Sequence, residues 1–309
     1  MVREKVASLV ENIERVFIGK RDVTKLILAG LFAGGHVLIE DVPGVGKTML
    51  ARALARSIDC SFQRIQFTPD LLPSDVVGVS IYTPQVDEFV FKPGPIFANV
   101  ILADEINRTT PRTQSSLLEA MNDFQVSVDG KTHALELPFI VLATQNPYEF
   151  EGTYPLPESQ LDRFLMRIEI GYPELECEKQ VLLSQASEHP ITKLEPVLNR
   201  KDILEIQDAV KRVRVDDSII GYMLEITRRT RGNSRLDIGV SPRGSLMLRR
   251  AVQAHALVEQ RDYVVPDDVK KLAVPVLSHR VILRATARQD ARRAAGIIRE
   301  ILEEVPVPM

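Results

Sequence analysis

The stretch that most constrains this chain is His36–Thr48. HVLIE is a short apolar run, DVPGVGKT is a loop carrying Gly44 and Gly46, and TMLARALARSI continues in a helix-forming composition. An apolar run of that length predicts a buried strand. Strand, glycine loop and helix in succession start an α/β unit around a parallel sheet. The loop nearly fits G-x-x-x-x-G-K-[ST], with Asp41 in place of the first glycine. In that pattern backbone N–H groups close around phosphates, the lysine reaches the β- and γ-phosphates, and the hydroxyl binds Mg²⁺. The N-terminus of the following helix adds its dipole. The residues expected at the nucleotide are Asp41, Pro43, Gly44, Val45, Gly46, Lys47, Thr48 and Met49. A plain strand-to-helix turn is the rival reading, and the flanking strand and helix disfavour it.

A second apolar run, Ala98–Asp104, ends in the carboxylates Asp104 and Glu105. Downstream of a phosphate loop, Asp104 is expected to hold Mg²⁺ through water, sharing the metal with Thr48. Glu105 is expected to polarise a water in line with the γ-phosphate. A third run, Pro138–Thr144, leads to Asn146, whose amide is placed to sit between that water and the γ-phosphate. Arg163, in SQLDRF, and Arg243, in GVSPRG, are candidates to neutralise γ-phosphate charge in the transition state. Together these residues predict Mg-dependent hydrolysis of a nucleoside triphosphate. No N-K-x-D guanine signature occurs, so ATP is expected rather than GTP.

The remaining pattern is α/β in front and helical behind. Val6, Leu9, Val10, Ile13 and Val16 recur at helical spacing over 3–17. Thr110-Pro111 opens a helix running to about Asp123, with proline at its first position. Residues 125–135 form a hairpin, because Asp129-Gly130 suits a type I′ turn. A last strand covers 165–170. From Pro173 onward apolar residues recur mostly at helical spacing. The expected organisation is an α/β nucleotide-binding domain over 1–172 and a helical lid over 173–309.

At 309 residues the chain is long enough to bury its core without staples. A formal charge of -3 argues against a general nucleic-acid binder. Cys60 and Cys177 lie in no metal-ligand cluster and predict idle thiols in a reducing compartment. The charged start is no signal peptide, and the glycine-broken stretch Leu26–Ile39 is too short to span a bilayer. A cytoplasmic protein without membrane insertion is expected. Near the C-terminus Arg284, Arg288 and Arg292 recur every four residues, which predicts one arginine stripe on a helix.

In order along the chain, FIGKRDV, EDVPGVGKT, RIQFTPDLLPSDVVG, FKPGPIFANVILADEINR, QSSLLEAMNDFQVSVDG, ATQNPYEFEGTYPLPESQLDRFLM and GVSPRGSLMLRRAVQAHALVEQRDYVVPDDVKKLAVPVLSHR resemble the MoxR family of AAA+ ATPases. The resemblance spans residues 16 to 280. It implies a P-loop AAA+ core with a parallel sheet flanked by helices, plus a C-terminal all-α lid. It places Lys47 and Thr48 on Walker A and Asp104 and Glu105 on Walker B. Asn146 falls on sensor 1, Arg163 on the arginine finger and Arg243 on sensor 2, and Ile18 and Gly19 match the box that packs on adenine. Leu71–Phe91 (about 69–92) would be the insertion in helix 2, and Gln125–Leu135 (about 125–136) the hairpin before sensor 1. The family implies homo-oligomeric rings, commonly hexamers, and partners with von Willebrand A domains. It also implies chaperone-like maturation of, or cofactor insertion into, substrate proteins.

The rival from another class is a nucleic-acid motor, or a Mg-chelatase-like subunit, on the same core. A motor needs phosphate contacts, and the two excursions offer only Lys92, Lys131 and His133. A non-hydrolysing scaffold is disfavoured because Glu105, Asn146 and both arginines are present.

Overall fold

The structure, a computed structural model, describes residues 2–85, 87–147, 152–184, 190–284 and 291–308. In chain order the elements begin with α1 (Val2–Glu14), α2 (Arg21–Phe32), β1 (Val37–Glu40), α3 (Lys47–Ser57), β2 (Phe62–Gln66), α4 (Pro73–Val77), β3 (Gly78–Thr83) and β4 (Glu88–Pro93). They continue with β5 (Val100–Asp104), α5 (Pro111–Asp123), β6 (Gln125–Val128), β7 (Lys131–Ala134), β8 (Ile140–Gln145), α6 (Glu158–Leu161) and β9 (Met166–Ile168). The C-terminal part holds α7 (Leu175–Ser184), α8 (Arg200–Lys211), α9 (Asp217–Arg231), β10 (Leu236–Ile238), α10 (Pro242–Val258), α11 (Pro266–Leu277), β11 (Ile282–Leu283) and α12 (Ala291–Glu304).

The central sheet is five-stranded in the order β2-β5-β8-β1-β9, with every pairing parallel. Its three inner strands are continuous apolar runs, because helices cover both faces. Val37, Leu38 and Ile39 of β1, Ile101–Ala103 of β5 and Val141–Ala143 of β8 are fully buried. The loops after β1, β5 and β8 leave from the carboxyl ends of neighbouring parallel strands. That end is where open α/β sheets bind ligands.

Two hairpins leave this core. β3 pairs with β4 and β6 with β7, both antiparallel. Asp129 and Gly130 both take positive φ, 49° and 76°, as a type I′ turn requires. Phe91 of β4 stacks on His133 of β7 with ring centroids 3.9 Å apart, so the two excursions touch.

The helices start on local signals. Asn199 and Asp202 form a reciprocal capping box on α8. The Asp216 side chain caps α9, and Ser241 caps α10 ahead of Pro242. α2 was not foreseen as a helix in the apolar stretch beginning at Leu26. It packs on α10, and α1 packs on α2, α3 and α10. Lys25–Glu259 at 2.7 Å, Lys5–Asp202 at 2.5 Å and Gln207 Nε2 to the Leu31 carbonyl at 2.7 Å join the opening helices to the C-terminal bundle.

One expectation fails. Arg284 is not on a helix with Arg292: it follows β11, which pairs antiparallel with β10, and its N–H bonds the Arg235 carbonyl. Strand pairing of Ile282–Leu283 overrides the four-residue spacing. Arg288 and the side chain of Arg292 lie outside the described residues. Among its described residues the lid is therefore helical apart from the β10–β11 ribbon. No described helix is long and apolar enough to cross a membrane.

Candidate nucleotide site

The phosphate loop leaves β1 at Glu40 and enters α3 at Lys47. Gly44 and Gly46 take φ of 89° and 93°, a region that favours glycine. A Cβ on Gly46 would also lie 3.1 Å from the Phe17 ring, so the chain just before Ile18 closes against the loop. Lys47 Nζ donates to the Asp41 carbonyl at 2.7 Å. Burial pulls the Lys47 ammonium below its ordinary pKa, and Asp104, Asp41 and Glu105 oppose that shift.

The loop faces a cavity of about 360 Å³ lined by Pro43, Gly44, Gly46, Lys47, Thr48, Met49, Arg64, Asp104, Glu105, Thr144 and Asn146. Nine of the residues expected at the site thus meet in one place. A second hollow of about 470 Å³ lies between Arg3 and Arg212, where Asp262 pairs with Arg3 at 3.1 Å, and it holds no phosphate loop.

The carboxylates are held from below. Thr144, 1% exposed, donates its hydroxyl to Asp104 Oδ1 at 2.5 Å and accepts the Glu105 N–H at 2.9 Å. Glu105 adopts φ 57°, ψ 48°, an unusual conformation for a non-glycine residue and one found preferentially at functional sites. Its Oε2 accepts from Gln66 Nε2 at 2.8 Å and from Arg108 at 3.3 Å. Asp104 Oδ2 accepts from Arg64 Nε at 3.0 Å and Nη2 at 2.6 Å, and Arg64 Nη2 also donates to Gln66 Oε1 at 2.7 Å.

Arg64, Gln66 and Thr144 were missed in the sequence. The available signal was QRIQ, where polar residues alternate about Ile65 and so share one strand face. Recognising it required β2 to be placed beside β5, in the register Gln66↔Asp104.

The other expected residues stand outside the cavity lining. Val45 points into the core. Asp41 is buried, and its carboxylate turns away from the phosphates to accept N–H groups of Val42 at 2.8 Å, Ile170 at 2.8 Å and Gly171 at 2.6 Å. Ile18 is half-buried, while Gly19, at φ 78°, lies so close to Cys177 that a Cβ would sit 2.3 Å from its sulfur. Arg163 donates to the Leu118 carbonyl on α5. Arg243 donates to Asn122 Oδ1 at 3.2 Å, also on α5, and faces Asp162 at 3.5 Å. The two arginines therefore share a neighbourhood at α5 and Asp162, outside the cavity lining. Arg280 of the lid, almost wholly buried, forms an ion pair with Asp162 Oδ1 at 2.9 Å.

A metal at this cavity would meet hard oxygens. Thr48 and Asp104 both line it. No cluster of three acidic, His or Cys side chains that could cage an ion occurs among the described residues. One hydroxyl and one carboxylate beside a phosphate loop fit Mg²⁺, which keeps several waters and takes its other ligands from substrate phosphates.

Residues 36–166 match the ATPase family associated with various cellular activities, and residues 228–301 match the AAA lid domain. The chain is 40% identical over 306 residues to Chaperone MoxR1 of Mycobacterium tuberculosis, covering 96% of this chain and 81% of that protein. It belongs to the MoxR family of AAA+ ATPases. It is 56% identical to YeaC of Bacillus subtilis, a protein without assigned function, over 97% of this chain and 94% of that one. A crystal structure of a candidate ATPase from Cytophaga hutchinsonii superposes with a TM-score of 0.90 at 39% identity, covering 100% of this chain and 96% of that one. The MoxR-family assignment makes the chain a chaperone-like ATPase that binds ATP.

Proposed function

We propose that this MoxR-family ATPase hydrolyses ATP in a Mg²⁺-dependent reaction within a homo-oligomeric ring. The observation that carries the reading is the division of the machinery. The phosphate loop, Asp104, Glu105 and Asn146 line one cavity, whereas Arg163 and Arg243 stand together outside it.

Lys47 and the loop N–H groups bind the phosphates. The Thr48 hydroxyl and the Asp104 carboxylate would hold the metal, which would offset phosphate charge. Glu105 orients and polarises the attacking water, and Asn146 fixes that water against the γ-phosphate. Ile18 and Gly19 flank the base. Arg163, with Arg243 beside it, reaches the nucleotide of the next subunit.

We assign residues 1–172 to the nucleotide-binding domain and 173–309 to the lid. Asp162 is the joint between them, because Arg243 and Arg280 of the lid both grip it. The work driven by this cycle is remodelling or maturation of a protein in the cytoplasm, including cofactor insertion. A ring, most simply a hexamer, would act with a partner carrying a von Willebrand A domain. The β3–β4 hairpin supports a protein substrate over nucleic acid. It exposes Ile81, Tyr82, Phe89 and Val90, and His133 of the neighbouring hairpin is stacked on Phe91 rather than offered to phosphates.

Glu105→Gln tests the reaction. It keeps the shape and the Gln66 contact but loses the charge that activates water. It should bind ATP, release phosphate at a rate reduced by about 10²-fold or more, and sediment with ATP as a larger species than without. Near wild-type phosphate release, or a monomer under all nucleotide conditions, would overturn the corresponding half of the reading.

A further inference from the structure

Arg64 carries a role that the proposed roles leave unassigned. It lines the nucleotide cavity from β2, and its guanidinium places two N–H donors on one oxygen of Asp104, at 3.0 and 2.6 Å. The other oxygen is fixed by Thr144 at 2.5 Å. Both oxygens of the carboxylate expected to serve the metal are thus already engaged.

The charge count of the cavity points the same way. Among the described residues that line it, Lys47 and Arg64 are the cations, and Asp104 and Glu105 the carboxylates. With Arg64 on Asp104 and Arg108 on Glu105 at 3.3 Å, both carboxylates are already matched by cations before any metal arrives. A divalent ion entering alone would have to displace the guanidinium and would face it at close range, with no compensating negative charge. Two charges a few ångströms apart still repel appreciably in water, and more so in a half-buried cavity. The same ion entering with a triphosphate brings excess negative charge, which can attract the displaced guanidinium. The side chain of Arg64 is 46% exposed, so it has room to swing aside, whereas Asp104 at 15% is held in place.

We propose that Arg64 is an internal cation that occupies the metal-binding carboxylate of Asp104 and yields it only to a metal that arrives with nucleotide. Arg64 is a positioning residue in this role. It keeps the carboxylate oriented in the empty site and makes metal and nucleotide binding interdependent. The inference rests on the reading of Asp104 as the residue that serves the metal.

The test measures metal binding directly, with Mn²⁺ in place of Mg²⁺ and electron paramagnetic resonance as the readout. Full-length wild-type protein should bind Mn²⁺ weakly without nucleotide. Arg64→Ala and Arg64→Gln should bind Mn²⁺ alone about tenfold more tightly. Arg64→Lys, which keeps the charge, should stay near wild type. Adding Asp104→Asn to Arg64→Ala should erase the gain. Nucleotide-free Mn²⁺ affinity that is unchanged or weaker in both Arg64→Ala and Arg64→Gln, in proteins with wild-type thermal melts, overturns the proposal. Asp104→Asn alone separates the two failures. If it binds Mn²⁺ with ATP as tightly as wild type, the metal assignment of Asp104 is itself wrong. If it weakens that binding while the Arg64 variants change nothing, only the role of Arg64 falls.

Discussion

The Asp41 carboxylate accepts the backbone N–H of Gly171 at 2.6 Å. The residue that replaces the first glycine of the phosphate-loop pattern therefore ties that loop to the chain where it leaves the sheet for the lid. The same carboxylate accepts the N–H groups of Ile170 and Val42. Asp41→Gly would restore the pattern and break the tie. Leaving these N–H groups without their acceptor should cost about 1–3 kcal/mol, read as a lower urea midpoint. ATP affinity should change little, because the partner of Lys47 is the Asp41 backbone carbonyl, which the substitution keeps. A loss of more than about tenfold in affinity, or unchanged stability, would contradict this account.

Lys47→Ala should abolish ATP binding while the unfolding transition stays near that of the wild type. The ammonium bonds a backbone oxygen at the rim of a cavity, so its loss opens no hole in the core. What goes is the charge aimed at the β- and γ-phosphates. Titration calorimetry with unchanged ATP affinity would remove Lys47 from its assigned place.

Much of this site was legible because it is local. Glycine spacing, the apolar runs at 98–104 and 138–144 and the Asp129-Gly130 turn all act within a few residues. β2 was not legible. It is an edge strand in which only Ile65 is buried, so it shows no apolar run. Arg64 and Gln66 were lost with it, since their meaning depends on lying beside Asp104. The grip of Arg243 and Arg280 on Asp162 joins segments far apart in the chain, which no spacing reveals. The arginine stripe failed for the opposite reason. A local period was read where β11 pairs with β10 instead.

Stability should fall as the solution is acidified from pH 6.5 towards pH 4, and His36 is one named cause. The ring is fully buried, with Nδ1 accepting from the Val141 N–H at 3.0 Å and Nε2 donating to the Met121 carbonyl at 2.9 Å. Burial pushes its pKa down to about 4 from the ordinary 6.5. Within that window the unfolded chain takes up a proton that folded His36 refuses. The stability it contributes is complete above pH 6.5, declines by roughly 3 kcal/mol in all, and levels off below pH 4. His279 is held down by burial and by Arg280, so it adds a slope of the same sign. Urea unfolding at pH 7, 5.5 and 4.5 should show a steep loss in the wild type and a shallower one in His36→Gln. Equal slopes in the two proteins would rule His36 out as the cause.

The arginines should act on a neighbour's nucleotide, and mixing can decide it. The transition state spreads charge over the γ-phosphate oxygens, and a guanidinium placed there is worth roughly 10³–10⁵ in rate. Within one chain Arg163 is spoken for by the Leu118 carbonyl, and Arg243 by Asn122 and Asp162, all away from the cavity lining. A head-to-tail ring would bring this face to the open side of the next phosphate loop. Arg163→Ala subunits should bind ATP normally yet hydrolyse almost none, and Lys47→Ala subunits should do neither. Mixed in equal amounts, about a quarter of the interfaces would join an intact Lys47 site to an intact Arg163, and activity should return in that proportion. Arg243→Ala mixed with Lys47→Ala should behave alike, because Arg243 lies beside Arg163 around Asp162. If mixed rings form and activity does not return for Arg163→Ala, the finger acts within its own subunit. If it returns for Arg163→Ala alone, Arg243 instead serves the nucleotide of its own chain, and the lid must swing to bring it there.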